Sequence, residues 1–160
     1  MKKISFAAAL LLAAIIITSC AAEPIAWSDA KTFSSDGMKI TLTEDFEANE
    51  MTTYTAEYVS DLAVVYVLGE SISGFGESGD LAWYTNRVIG NNNLDVKPEK
   101  QDGRMFFKYT SEADGEGIMN YVYTYENGGR FWFVQFVIYK NDEKRIRDDI
   151  AKWADSVVFE

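Results

Sequence analysis

The reactive side chains of this 160-residue sequence are few in kind, since it contains no histidine and a single cysteine, Cys20. Without histidine the chain cannot form a Ser–His–Asp triad, a Cys–His pair or a histidine-bound metal site. One cysteine also supplies too few thiolates for a structural zinc site. Carboxylate, lysine and tyrosine chemistry and oxygen-bound metals remain. We therefore expect that the protein is not an enzyme and that it has no metal site and no cofactor.

Cys20 stands at the end of a segment with the pattern of an export signal. Two lysines follow Met1, and an apolar run from Ile4 to Ile17 is shorter than the roughly 20 residues that span a bilayer. The four residues that end at Cys20, Ile-Thr-Ser-Cys, resemble the lipobox of bacterial lipoproteins, in which the cysteine is lipidated. We predict a lipoprotein signal peptide over residues 1–19. A conventional cleaved signal with a chance cysteine is the alternative.

A lipid on Cys20 determines where the protein is expected to work. A diacylglycerol carries two long chains, and each buried CH₂ contributes about 0.8 kcal/mol, which makes a firm anchor without a spanning helix. We expect residues 20–29, the lipidated cysteine and a short tether, to hold the chain at the bacterial cell membrane. The expected location is exported, on the outer face or the periplasmic side, with the membrane as a partner through the lipid.

The chain is acidic, with 15 Lys and Arg against 25 Asp and Glu and a formal net charge of −10. Cleavage of the signal removes two of the lysines and makes the remainder more acidic. Binding to nucleic acid needs a basic face, so we expect no nucleic acid partner. An anionic leaflet repels an acidic domain, which favours a position away from the membrane surface.

Strand patterns dominate residues 30–160, which we assign to one domain. Alternating apolar and polar residues and runs rich in Val, Tyr and Thr predict strands. The predicted strands are Met38–Leu42, Thr53–Val59, Leu62–Glu70, Leu94–Lys97, Arg104–Thr110, Ile118–Glu126 and Arg130–Tyr139. Asp36-Gly37 before the first and Asn127-Gly128-Gly129 between the last two are hairpin-turn signals.

The last predicted hairpin carries a stripe of aromatic residues. A two-residue turn at Asn127-Gly128 pairs Tyr123 with Trp132 and places Tyr121, Tyr123, Tyr125 and Trp132 on one face of the sheet. Because aromatic residues are enriched at interface hot spots, this stripe is a candidate partner-binding surface. The alternative, which we favour, is that the stripe packs against a helix in the core.

Two helices are predicted to cover the sheet. The first begins at Ser78 or Asp80, either of which is a suitable N-cap, and continues to about Ile89, where Gly90 ends it. The second begins after Asn141 and has apolar residues at helical spacing. Strands joined mainly by hairpins, together with helices, indicate an α+β fold with a mainly antiparallel sheet flanked by helices.

Four segments in this order resemble PsbP-like domains and the small bacterial lipoproteins of that family. They are Asp36–Leu42 with Phe46, the first predicted helix, the strand from Phe131 to Phe136, and the ending Lys152–Phe159. The resemblance covers about residues 30–160 and implies an α-β-α sandwich. Other members are an extrinsic subunit of the photosynthetic oxygen-evolving complex and a small Ran-binding protein of nuclear import. Both bind protein partners, so the resemblance implies binding rather than catalysis.

Three functions are compatible with these observations. The first is a non-catalytic binding or accessory module with a protein partner, which predicts an exposed apolar patch or groove. Phe75, in the glycine-rich loop before the first helix, is a candidate contact of that kind. The second is a carboxylate-dependent enzyme acting on cell-envelope material, which needs two carboxyl groups about 5–10 Å apart in one cleft. The third is a carrier of a small apolar ligand, which predicts a closed cavity between sheet and helix.

Overall fold

A computed structural model describes residues 25–50, 53–75 and 79–160, which form ten strands, two α-helices and two short 3₁₀ helices. In chain order the strands β1 to β10 are Ala30–Ser35, Met38–Thr43, Glu47–Asn49, Ala56–Val59, Ala63–Ser71, Glu99–Gln101, Arg104–Ala113, Glu116–Asn127, Arg130–Tyr139 and Val158–Phe159. The α-helices α1 and α2 are Leu81–Asn91 and Glu143–Asp155, and the 3₁₀ helices are Ile72–Phe75 and Lys140–Asp142.

Seven of the strands form one antiparallel sheet in the order β3-β4-β5-β9-β8-β7-β6. Its long strands β7, β8 and β9 contain 10, 12 and 10 residues and are joined by two tight hairpins. The turns are Asp114-Gly115 and Gly128-Gly129, and all four residues have a positive φ. Two-residue hairpin turns of this kind need a positive φ at both central positions, which glycine adopts without steric cost.

One face of this sheet is covered by α2 and by a second sheet of three strands in the order β1-β2-β10. The main core lies between these layers. The largest wholly buried side chains there come from both sheets, from α2 and from the loop after β2, and they are Met38, Ile40, Leu42, Phe46, Val65, Val67, Phe136, Ile146 and Ile150. The spacing of the α2 residues puts its apolar side chains on one helical face, which the sheet buries.

The helix α1 lies on the opposite face of the seven-stranded sheet. It begins at Asp80, whose carboxylate accepts a hydrogen bond from the Trp83 backbone N–H at 2.8 Å. The Tyr84 ring stacks on Phe131 with 4.6 Å between ring centroids. At 1.5 Å per residue the 11 residues of α1 extend only about 16 Å. The central strands are about twice as long, so α1 leaves part of this sheet face uncovered.

The predicted fold class is confirmed, since the structure has a mainly antiparallel sheet with a helix on each side. The predicted cap at Asp80 is also confirmed. Two boundaries were wrong. The segment Leu94–Lys97 is not a strand, and pairing with β7 begins only at Glu99. Gly90 lies inside α1 rather than ending it.

The predicted register of the β8–β9 hairpin was wrong by two residues. The structure pairs Tyr125 with Trp132 and Tyr123 with Val134, because the turn uses both glycines, Gly128 and Gly129. A shift of two residues moves every pair along the strand but exchanges no face. The predicted placement of Tyr121, Tyr123, Tyr125 and Trp132 on one face was therefore right although the pairs were not.

The predicted signal peptide and Cys20 lie outside the described residues. The last part of the predicted tether is described and contacts the domain. Trp27 packs edge-on against Trp153 at 5.1 Å between centroids, and its Nε1 donates to Asp149 Oδ2 at 2.8 Å. Within the described ranges, no helix has both the length and the hydropathy needed to cross a membrane.

Candidate functional site

The part of the sheet that α1 leaves uncovered forms a groove of about 610 Å³. One wall comes from α1 and the segment after it, and the floor comes from the outward side chains of the long strands. The residues that line the groove include Tyr54, Tyr66, Leu68, Glu70, Tyr84, Val88, Phe107, Tyr109, Ser111, Ala113, Asn120, Val122, Phe133, Gln135 and Val137. A groove of this volume is in the range of small-molecule sites.

The walls of the groove are mainly apolar and aromatic. Val122 and Phe107 are buried where α1 crosses the sheet, and Val88, Phe133 and Val137 are half-buried around them. A ligand that removes such apolar area from water gains binding free energy of about 25 cal/mol per Å². The groove is therefore the exposed apolar concavity that the binding-module hypothesis expects.

Two stacked tyrosines lie at the end of the groove toward β4. The rings of Tyr54 and Tyr66 are 4.6 Å apart at an interplanar angle of 28°. Glu57 faces Tyr66 across the β4–β5 pair and is 6% exposed, and its Oε2 accepts from Asn49 Nδ2 at 2.6 Å. Burial first, and the Glu57 carboxylate next, raise the pKa of Tyr66 above its ordinary value. The Tyr66 hydroxyl is thus held in its protonated form.

The floor of the groove contains a network of polar side chains. Gln135 Nε2 donates to Asn120 Oδ1 at 2.8 Å and to the Tyr109 hydroxyl at 3.1 Å. Asn120 Nδ2 in turn donates to Ser111 Oγ at 2.9 Å. The amide hydrogens of Gln135 are used, whereas no described residue donates to its Oε1. Asn120 lies between Ile118 and Val122 on this face of β8, and Gln135 lies between Phe133 and Val137 on the same face of β9. Amides between apolar neighbours break the local pattern, as residues at functional sites often do.

One carboxylate lines the groove on the side of α1. Glu70 Oε2 accepts from the Tyr84 hydroxyl at 2.6 Å. Burial, followed by the contact with Glu70, raises the pKa of Tyr84 well above its ordinary value. The tyrosine therefore remains a donor and fixes one oxygen of Glu70 in place. No lysine or arginine of the described chain lines the groove.

Sequence and family comparisons identify no relative, since no protein-family model matches and no curated protein is similar. Solved structures are similar at the level of the fold. A crystal structure from Bacteroides thetaiotaomicron VPI-5482 has a TM-score of 0.56 and 8% identity, over 84% of this chain and 49% of that one. This chain therefore spans about half the length of that protein.

Two further solved structures are similar. LpqN, which is involved in cell envelope biogenesis of Mycobacterium tuberculosis, has a TM-score of 0.51 at 9% identity, over 81% of this chain and 90% of that one. The cyanobacterial PsbP of Synechocystis sp. PCC 6803 has a TM-score of 0.48 at 11% identity, over 90% and 99%. The α+β fold that the resemblance implied, a mainly antiparallel sheet between helices, is confirmed by the architecture described above.

The predicted aromatic stripe lies in the core, on the sheet face opposite the groove. Tyr121, Tyr123, Tyr125 and Trp132 are all less than a tenth exposed. Tyr125 donates to the Ala154 carbonyl at 2.9 Å, and Tyr121 donates to Glu143 Oε1 at 2.7 Å. These bonds fasten α2 to the sheet. The four side chains therefore pack against α2 in the core, which is the interpretation that the sequence favoured. They are not accessible to a partner.

The structure places Phe75 in an aromatic cluster beside the start of α1. Its ring lies 5.9 Å from Trp83, 5.9 Å from Tyr84 and 6.1 Å from Phe131, centroid to centroid. The Arg87 guanidinium lies over the Phe75 ring at 5.2 Å. The half-buried Phe75 thus packs against the helix, and its role as a partner contact stays a prediction.

The groove was not among the residues singled out in the sequence. Gln135 and Asn120 lie on the face of the hairpin opposite the aromatic stripe, where alternation gives a mixture of polar and apolar residues. A signal was nonetheless present, because each amide lies between two apolar residues of its own face, Asn120 between Ile118 and Val122 and Gln135 between Phe133 and Val137. What the sequence does not show is where α1 lies on the sheet, which decides how much of that face stays open.

Proposed function

We propose that this protein is an exported lipoprotein, anchored through Cys20, whose folded domain is a non-catalytic binding module of the cell envelope. The observation that carries the binding function is the apolar groove beside α1. The groove opens to the surface, which fits a module that binds a protein or a small molecule there better than a carrier that encloses its ligand.

Two further points support the proposal. LpqN, a protein of similar fold, is involved in cell envelope biogenesis, and an accessory role in the envelope is the corresponding proposal for this chain. The lipobox pattern at Cys20 supplies the membrane attachment that such a role needs.

The binding function is tested by photo-cross-linking in native membranes. Ala113 is exposed at the rim of the groove, and p-benzoylphenylalanine introduced there reaches a molecule that occupies it. The matched control is the same residue at Lys152, which is exposed on α2, on the other side of the sheet. We expect an adduct, of protein or of small mass, at position 113 and none at 152. No adduct at 113, or equal adducts at both, contradicts the proposal.

The anchor has its own test, since binding and anchoring are separable. Cells that express the full chain are expected to incorporate radioactive palmitate into it, and the Cys20→Ala variant is expected to remain unlabelled. Labelling that persists in the variant disproves the lipobox interpretation. Absence of labelling in both chains disproves the anchor while the groove experiment stands on its own.

A further inference from the structure

The distribution of charge around the groove restricts what the groove can accept. Glu70 lines it, Glu57 lies beside Tyr66 at one end, and no lysine or arginine of the described chain lines it. The chain as a whole carries a formal net charge of −10, so its distant charges also repel anions. An anionic group placed among these apolar walls would be desolvated without a counter-charge, which is costly.

The hydrogen-bonding groups of the groove also disfavour an anionic ligand and favour one that donates hydrogen bonds. Gln135 Oε1 receives no hydrogen bond from any described residue, and Gln135 is 9% exposed. Glu70 has one oxygen bonded to Tyr84 and a second oxygen to offer. Both free atoms are acceptors, so a ligand satisfies them by donating.

We propose that the groove binds a small amphiphile with an apolar body and a hydrogen-bond-donating head that is neutral or positively charged. The inference rests on the proposed binding function and names its ligand class. The apolar body lies against the half-buried Leu68, Phe133 and Val137, and the head reaches Gln135 or Glu70. A small molecule fits better than a protein surface, because the groove is a concavity of about 610 Å³ with a polar floor rather than a broad flat patch.

Three photoreactive probes with one body and different heads test this selection. They are 4-(aminomethyl)benzophenone, 4-(hydroxymethyl)benzophenone and 4-benzoylbenzoate, which carry an ammonium, a hydroxyl and a carboxylate. Each is irradiated with the full-length lipidated protein in detergent, and labelled peptides are identified by mass spectrometry. We expect the first two to label peptides of β5, β8 and β9, and the carboxylate probe to label them at least about tenfold less, as an unfavourable charge in a partly buried site predicts.

A matched pair of variants separates the contribution of Glu70 from that of total charge. Glu70→Gln keeps a hydrogen-bond acceptor for Tyr84 and removes the charge. We expect it to lower labelling by the ammonium probe to the level of the hydroxyl probe, which itself stays unchanged. Glu44→Gln removes an exposed carboxylate outside the groove and is expected to leave all three probes as in the original chain.

The possible results distinguish this inference from the proposed function. Equal labelling of the groove by the carboxylate probe overturns the charge selection and leaves the groove a binding site. Absence of groove labelling by every probe overturns the ligand class. A protein adduct at position 113 in membranes, together with such absence, assigns the groove to a protein partner instead.

Discussion

Thr85 of α1 and Thr124 of β8 join the helix to the sheet through two wholly buried hydroxyl groups, with 2.7 Å between their oxygens. Thr85 Oγ1 also lies 2.7 Å from the Leu81 carbonyl oxygen, to which it donates. Its own proton is thereby used, so Thr124 is the donor of the pair. Thr85 has two partners, whereas Thr124 has only Thr85 among the described residues.

This difference predicts unequal costs for two similar substitutions. Thr85→Val leaves the Thr124 hydroxyl buried and unpaired, and we expect the free energy of unfolding to fall by about 1–3 kcal/mol. Thr124→Val leaves Thr85 bonded to Leu81, and the expected loss is about 0.5–1.5 kcal/mol. The double variant is expected to be no less stable than Thr85→Val alone. Urea unfolding at equal m-values measures all three. Equal losses for the single variants would contradict the donor assignment.

At the scale of elements, Gly90 and Gly129 have different backbone conformations, the first helical and the second left-handed. Gly90 is the tenth residue of α1, and a Cβ added there meets nothing within 4 Å. Gly129 is in the β8–β9 turn with a φ of 73°, a conformation that side chains with a Cβ rarely adopt. Space is available at both sites, so backbone conformation alone separates them.

We expect Gly90→Ala to raise the free energy of unfolding by about 0.5–1 kcal/mol, because alanine restricts the unfolded chain and favours the helix. Gly129→Ala is expected to lower it by about 1–2 kcal/mol, the cost of a left-handed residue with a Cβ. Thermal unfolding of the two variants beside the original chain measures both effects. A loss of stability in Gly90→Ala would show that Gly90 ends the helix, as the sequence alone predicts.

The elements also show which parts of the fold the sequence can predict. Alternation along β8 and β9 assigns every residue of the hairpin to its face, because the period of a strand is two. It does not settle which two of Asn127, Gly128 and Gly129 form the turn, since each pair suits it. The strand β1 was not predicted, because four of its six side chains are exposed and give little apolar pattern. Its partner β2 has the buried pattern that was recognised.

The candidate site was less predictable than the fold, because it depends on contacts between elements that are distant in the sequence. A groove is the area that a helix does not cover, and it depends on how far α1 extends over the strands. Gln135 and Asn120 are separated by 15 positions in the chain, and only the β8–β9 pairing brings them together. The proposed anchor is the opposite case, because the pattern at Cys20 lies within four consecutive residues.

At the scale of the whole molecule, most tyrosines are built into the fold as neutral hydrogen-bond donors or ring surfaces. Burial is the largest cause of a raised pKa at Tyr58, Tyr66, Tyr84, Tyr109, Tyr121, Tyr123 and Tyr125. They lie on both faces of the large sheet, so the core and the groove depend on the same protonated state. Their ordinary pKa is 10.0, which the unfolded chain is expected to show.

Stability is therefore expected to fall as the pH rises above 10. There the unfolded chain releases tyrosine protons that the folded chain retains, so the folded state binds more protons and linkage makes unfolding easier. Below that pH this contribution is fully present. The urea midpoint, measured between pH 8 and pH 11 with tyrosinate absorbance at 295 nm, is expected to decrease only in the upper part of this range.

Two phenylalanine variants locate the effect. Tyr123 is 4% exposed, so Tyr123→Phe removes one buried hydroxyl and is expected to make the alkaline decrease less steep. Tyr139→Phe changes a ring that is half exposed and is expected to leave the slope as it is in the original chain. If tyrosinate absorbance of the folded protein develops fully before the urea midpoint moves, the buried tyrosines ionise in place. That result would contradict the burial of the tyrosine hydroxyls in the core and in the groove.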